Sequence, residues 1–215
     1  MQGTIHDIYF NTQRQFEAKT KPVTDEELLL EYRESGDREL YAQLVYRYER
    51  ELFSYLRRYM GNAEMAEDVF QTAFLQVHLK CDLFDAGRRF RPWLYTIATN
   101  AAIDAKRRNK RHKTVSLDTP REQDNEDVGR LVNLLESSDP NPSESALSVE
   151  REQLVRETLN QLPESMSTLI QLVYYQGLKY REAAEVLDIP VGTVKSRIHS
   201  AIAKLTDAWN TSRID

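Results

Sequence analysis

Lys195, Ser196, Arg197, His199 and Ser200 crowd a single turn and a half of one predicted helix, with Gly192 and Thr193 at its start. Lys195 and Arg197 are of the type that reaches phosphates or guanine edges, and Ser196 or His199 can approach bases. Gly192 and Thr193 can present backbone N–H groups to a phosphate where the helix dipole favours negative charge. These groups need an element to aim them, and the flanking sequence supplies one. Within QGLKYREAAEVLDIPVGTVKSRIHSAIAK (176–204), a short helix from Tyr180 to Leu187 meets a break at Asp188-Ile189-Pro190. A second helix is predicted to start near Gly192-Thr193. Two helices on a tight turn, the second polar and basic at its N-terminus, form a helix-turn-helix reader of the major groove. Ala183, Ala184, Leu187, Ile189, Val194 and Ile198 supply the apolar seam between them. The chain is expected to bind DNA.

A second cluster lies upstream. Asn100 and Asp104 stand four apart, on one face of a predicted helix. Asn pairs with a base and Asp accepts from a base amino group, while Lys106, Arg107 and Arg108 follow as phosphate contacts. The plain alternative is an amphipathic helix whose terminal cations favour its own dipole.

The net charge of −5 looks wrong for a DNA binder until its distribution is read. Lys106, Arg107, Arg108, Lys110, Arg111 and Lys113 form a block with no acid among them. Between Glu122 and Glu150 the acids Glu122, Asp124, Glu126, Asp127, Glu136, Asp139 and Glu144 face only Arg130. Net charge conceals this segregation.

Catalysis finds little support. His78 and Cys81 are three apart, but two ligands do not make a zinc site. There is no Gly-rich phosphate loop and no nucleophile–base arrangement. No cofactor, metal or small-molecule substrate is expected, and the chain is not read as an enzyme. No apolar run approaches the roughly 20 residues of a membrane span, and the N-terminus lacks a secretory pattern. A lone Cys81 suits a reducing cytoplasm.

The composition, 40% hydrophobic with seven glycines and seven prolines, favours an all-helical protein. Thr24-Asp25-Glu26-Glu27 reads as a capping box opening the first helix. A longer helix from about Asp37 to Met60 carries the stripe Leu40, Leu44, Tyr48, Leu52, Leu56 and Tyr59, and Gly61-Asn62 ends it. The next, from about Ala63 to Lys80, buries Ala66, Val69, Phe70, Ala73, Phe74 and Val77. Pro92, at a first helical position, opens a helix through Ile97, Ala101 and Ile103 into the basic block. A helical domain over 24–112 is expected after an N-terminal extension (1–23), then an acidic linker (113–145) punctuated by Pro120, Pro140 and Pro142. A second helical domain over 146–209 follows, with a tail over 210–215. In it one helix reaches Gln161, and Leu162-Pro163-Glu164 opens another.

Two small helical domains on an acidic tether resemble the extracytoplasmic-function (ECF, group 4) sigma factors of bacterial RNA polymerase, in the sigma-70 family. Ala66-Glu67-Asp68-Val69-Phe70-Gln71-Thr72-Ala73-Phe74-Leu75 is similar to the family's polymerase-docking segment. Phe90-Arg91-Pro92-Trp93-Leu94-Tyr95-Thr96-Ile97-Ala98-Thr99-Asn100, with Ala101-Ala102-Ile103-Asp104, is similar to its promoter-melting and −10-reading helix. Leu162-Pro163-Glu164 and Pro190-Val191-Gly192-Thr193-Val194-Lys195-Ser196-Arg197 are similar to its −35-reading domain. The match runs in order over about 24–209.

The resemblance implies that the first domain (sigma region 2) docks on core polymerase and opens and reads the −10 element, while the second (region 4) reads the −35 element. Docking would use Glu67, Asp68, Gln71 and Phe74 around an aromatic anchor, with Leu75 buried. The −10 element, as an opened strand with a base held in a pocket, would be met by Asn100, Asp104, Lys106, Arg107 and Arg108, with Tyr95 stacking on a base and Trp93 in the core. The loop from Phe84 to Arg91 would help form that pocket. Thr193, Lys195, Ser196, Arg197, His199 and Ser200 would meet the −35 element. Implied partners are the core's β′ clamp and β flap, promoter DNA and an anti-sigma factor that could hold the cytoplasmic protein at the inner membrane face, without membrane insertion. The tether would thread the channel taken later by nascent RNA. It could also screen the basic block, in which case neutralising Glu122, Asp124, Glu126 and Asp127 raises the free protein's DNA affinity, or act as a plain spacer.

Departures from the family pattern stand at Thr72 (usually Glu), His78 (usually Trp), Lys179 (usually a Ser or Thr cap), Asp188 (usually Gly) and Ser200 (often Arg). The rival reading is an autonomous helix-turn-helix regulator that needs no core. It leaves Phe90–Asp104 and the long tether unexplained.

Overall fold

The computed structural model describes residues 23–112, 157–159 and 161–211. The N-terminal extension, the acidic tether with its two proposed uses, the opening of the second domain and most of the tail lie outside them. The all-helical expectation holds, with no strand among the described residues. The first unit comprises α1 (Asp25–Ser35), α2 (Arg38–Met60), α3 (Ala63–Lys80), a 3-10 turn (Cys81–Leu83) and α4 (Phe90–His112). The second comprises α5 (Glu164–Ile170), a π-helical turn (Gln171–Tyr175), α6 (Tyr180–Leu187) and α7 (Val191–Thr211).

The boundaries follow from capping chemistry. Glu27 N–H donates to Thr24 Oγ1 at 3.2 Å, and Thr24 N–H to Glu27 Oε2 at 2.8 Å, which closes the expected box on α1. Asp37 and Asn62 cap α2 and α3 through Glu39 N–H (2.9 Å) and Met65 N–H (2.8 Å). Gly61 stops α2 in the left-handed region at φ 68°, where a Cβ would be strained. Pro92 is not at the first position of α4. The helix begins at Phe90, whose N–H donates to Glu26 Oε1 at 2.8 Å, and Pro92 sits third, still within the turn that needs no intrahelical donor.

The stripe expected on α2 is the core: Leu44, Leu52 and Leu56 are buried with Tyr48 and Tyr59, and Leu40 is partly so. Phe90 lies at the centre of an aromatic cluster, its centroid 5.3 Å from Tyr48, 6.3 Å from Phe84 and 6.0 Å from the partly buried Trp93. Tyr55, fully buried, shares a 2.8 Å hydrogen bond with Thr99 across α2 and α4.

Burial pushes the Tyr48, Tyr55, Tyr59 and Tyr95 phenols well above their ordinary value, aided by Asp25 and Glu51 at Tyr48, Glu164 at Tyr59 and Glu51 at Tyr95. Tyr174 is pushed up to about 12. A raised folded-state value means that the folded chain holds protons that the unfolded chain releases above about pH 10. The stabilisation from these neutral phenols is therefore complete below about pH 10 and falls as pH rises toward the folded-state values. Alkaline unfolding should begin near there, and the part of the 295 nm tyrosinate absorbance that belongs to these buried phenols should rise together with loss of helical circular dichroism. Absorbance beyond the share of the exposed tyrosines, Tyr46 among them, before helix loss would contradict this burial.

The two units are not separate bodies on a string. α6 packs on α4, and one continuous buried cluster joins Leu44, Leu94 and Ala98 of the first unit to Leu169, Leu172, Leu178 and Val186 of the second. A smaller cluster, Leu162, Ile170, Tyr175, Ala201 and Leu205, knits α5 to α7.

Candidate nucleic-acid and polymerase interfaces

In the helix-turn-helix, α6 spans Tyr180–Leu187 as expected, and α7 begins at Val191, slightly ahead of the predicted start. Lys179 provides no acceptor for the α6 N-terminus, but Glu182 Oε2 accepts its N–H at 2.7 Å, so half a capping box remains. Asp188 takes the left-handed conformation (φ 50°, ψ 50°) that the usual glycine would adopt. Ala183, Val194 and Ile198 are fully or almost fully buried in the seam, while Leu187 and Ile189 are partly buried.

This packing turns the opposite face of α7 outward. Lys195, Ser196, His199 and Ser200 are exposed, in two adjacent i, i+4 pairs, and Arg197 and Thr193 flank them half-buried. The Ser196 hydroxyl donates to the Thr193 carbonyl at 3.1 Å, leaving its lone pairs free to accept. The Thr193 N–H already donates to Pro190 O at 2.9 Å, so it is not a phosphate donor as the sequence suggested.

On α4, Asn100 and Asp104 are exposed and adjacent, with Arg107 and Arg108 exposed beside them. Arg107 Nη1 stands 4.0 Å from Asp104 Oδ1, a loose surface pair worth little. Lys106 is otherwise engaged. Its Nζ donates to Glu164 Oε1 at 2.9 Å and lies 4.1 Å from the Tyr59 ring centroid. Tyr95 departs from the expectation. It is fully buried, its hydroxyl donates to Gln176 Oε1 at 2.8 Å, and its ring cannot stack on a base in this conformation. The loop before α4 holds Arg88 and Arg89 outward on an Asp85 turn, with Gly87 N–H donating to Asp85 Oδ1 at 2.9 Å.

On α3, Glu67, Asp68 and Gln71 face solvent as expected of a docking surface. Phe74 does not. Only 5% exposed, it packs on Phe70, and its carbonyl accepts the Tyr41 hydroxyl, so it belongs to the core. Leu75, expected buried, is 55% exposed, and with Leu79 at 61% it forms the apolar part of this face. Sequence reasoning missed Leu79; its signal is an apolar excess on α3 beyond what one buried stripe can hold. His78, where the family has tryptophan, accepts or donates a 2.6 Å hydrogen bond with Tyr32 and packs near the Tyr41 ring. Among the described residues no group of three or more His, Cys, Asp or Glu side chains is placed to hold a metal, and no helix is long and apolar enough to cross a membrane.

Arg91, expected only as the end of the pocket loop, has a role of its own in holding the structure together. Its guanidinium donates to both Glu51 oxygens (3.2 and 3.3 Å) and to the Gln176 carbonyl (2.6 Å), and lies 5.2 Å from the Tyr95 ring centroid.

Comparison with known proteins places these surfaces in a family. The Sigma-70 region 2 family model matches residues 44–112, and the Sigma-70, region 4 model matches 152–205. The chain is 33% identical over 164 residues to the ECF RNA polymerase sigma factor SigW of Bacillus subtilis (strain 168), covering 76% of this chain and 86% of that protein. It is also 33% identical over 183 residues to the ECF RNA polymerase sigma-E factor of Escherichia coli (strain K12), covering 85% and 92%. Among solved structures, CnrH in complex with the cytosolic domain of CnrY superposes with a TM-score of 0.60 at 26% identity, covering 87% of this chain and 97% of that one. The sigma factor RpoE of Bartonella quintana, solved with the anti-sigma factor NepR, shares the fold with a TM-score of 0.58 at 20% identity. With both regions matched in order and relatives similar over most of their length, the chain belongs to the ECF sigma factors of the sigma-70 family.

Proposed function

We propose that this chain binds core RNA polymerase through α3, directs it to promoters by reading a −35 element with α7 and a −10 element with α4, and assists strand opening there. The observation that supports this most is the exposed pairing of Asn100 with Asp104 on a helix whose far end is basic, together with an outward-facing reader on α7. An autonomous duplex-binding regulator has no use for the first of these. The α3 face combines Glu67, Asp68 and Gln71 with exposed Leu75 and Leu79, the mix of polar rim and apolar centre that suits a protein interface. The chain supplies recognition rather than bond chemistry; phosphoryl transfer belongs to the core. Transcription places its work in the cytoplasm. An anti-sigma partner fits the reading, since the solved RpoE of Bartonella quintana is bound to the anti-sigma factor NepR.

Purified chain mixed with sigma-free core and fragmented source DNA, followed by mapping of transcript 5′ ends, tests the reading. Discrete starts sharing two upstream boxes support it. Absence of core-dependent starts, with duplex binding by the chain alone, would favour the autonomous regulator.

A further inference from the structure

Leu75, Leu79 and Leu83 follow one another at four-residue spacing from α3 into the 3-10 turn, so an apolar strip runs down a single side. Leu83, at 78%, is the most exposed of them, and the three are among only five large apolar side chains that the described residues leave outward. An aligned apolar row of this kind marks an interaction surface. Glu67 and Asp68, both exposed, lie nearer the other end of α3, so the face is acidic at one end and apolar at the other.

The segment ahead of Val23 has the complementary division. Residues 5–10 hold Ile5, Ile8, Tyr9 and Phe10, and residues 11–22 hold Arg14, Lys19 and Lys21 against Glu17 alone. Its point of attachment lies within reach of the face. Arg47 Nη1 donates to Val23 O at 2.9 Å, which fixes the end of the segment on α2. From there α1 leads to Tyr32, whose hydroxyl meets His78 at 2.6 Å, one residue before Leu79. Val23 to Tyr32 is about 14 Å of helix, whereas the chain from Phe10 to Val23 reaches about 43 Å when extended.

We propose that the chain's own N-terminal segment occupies this face when core polymerase is absent, with Ile8 and Phe10 on Leu79 and Leu83, and with Arg14, Lys19 and Lys21 toward Glu67 and Asp68. The consequence for polymerase rests on the reading of α3 as the docking face: core must displace the segment in order to bind. A tethered segment acts at an effective concentration on the order of 1–10 mM, so a contact as weak as about 1 mM leaves the face uncovered about a half to a tenth of the time. Core binds in proportion to that fraction, so the segment lowers its apparent affinity without altering α3 itself.

Cysteine alkylation reads the covering without polymerase. In the full chain carrying Cys81→Ser and Leu79→Cys, a bulky uncharged maleimide should react about twofold to tenfold more slowly than in the same chain lacking residues 2–21. Glu49→Cys, at an exposed position on α2, should react equally in both. Ile8→Asp with Phe10→Asp should relieve the protection as the deletion does, with circular dichroism as the control for folding. With α3 unaltered, the deletion should also tighten binding to sigma-free core about twofold to tenfold. Equal alkylation in the full and shortened chains would overturn the proposal. So would protection that grows with protein concentration and survives the deletion, the mark of a second copy on this face. Protection relieved by the deletion, with core affinity unchanged, upholds the covering segment and counts against α3 as the docking face.

Discussion

Lys195→Glu is expected to reduce promoter-directed transcription by about 10- to 100-fold while leaving the fold intact. Lys195 is exposed on the outward face of α7 and takes no part in the seam formed by Val194 and Ile198. On the proposed reading, the substitution removes a cation from the DNA-facing side of α7 and would place a carboxylate against phosphates. A base or phosphate contact is worth about 1–3 kcal/mol, and charge reversal adds repulsion to the loss. The effect should weaken as salt rises, since part of the lost affinity is counterion release. Run-off transcription over a salt series checks this, with circular dichroism as the control for folding. Unchanged transcription at low salt would remove α7 from the promoter interface.

Phe90→Ala is expected to destabilise the first unit by about 3–5 kcal/mol. The ring is fully buried among Tyr48, Phe84 and Trp93, at the first residue of α4. Truncation leaves a cavity that three large aromatic rings cannot easily collapse to fill. Against a typical total of about 5–15 kcal/mol, the loss is a large fraction of the stability. It should appear as a lower urea midpoint with little change in slope. A loss below about 1 kcal/mol would mean that the cluster is not packed as described.

Much of the fold was legible because capping and punctuation are local. Thr24 with Glu27, Asp37, Gly61 and Asn62 declare their helix ends in a few residues, and the ends fall there. The reader was legible for the same reason: Asp188-Ile189-Pro190 breaks the chain, and the apolar seam leaves only one face for Lys195 and His199. What the sequence concealed is long-range. Phe74 and Leu75 are adjacent on a helix with more apolar residues than one stripe needs. A rotation of about 100° per residue decides which points inward, and that depends on where Tyr41 and Phe70 sit. Tyr95 carries the composition of a stacking residue, and only the arrival of Gln176 from a distant helix buries it. Arg91 likewise looks like a routine surface cation until Glu51 and the Gln176 carbonyl close around it.

Strand opening at the −10 element is the property that separates a promoter-specificity subunit from a duplex binder. Permanganate reactivity of thymines in a mapped promoter, with core plus this chain, core alone and the chain alone, measures it directly. Core plus chain should give reactive thymines around the −10 element, and a chain carrying Asn100→Ala and Asp104→Ala should lose most of that reactivity while still binding core. Protection of duplex by the chain alone, with no reactive thymines when core is present, would contradict the account.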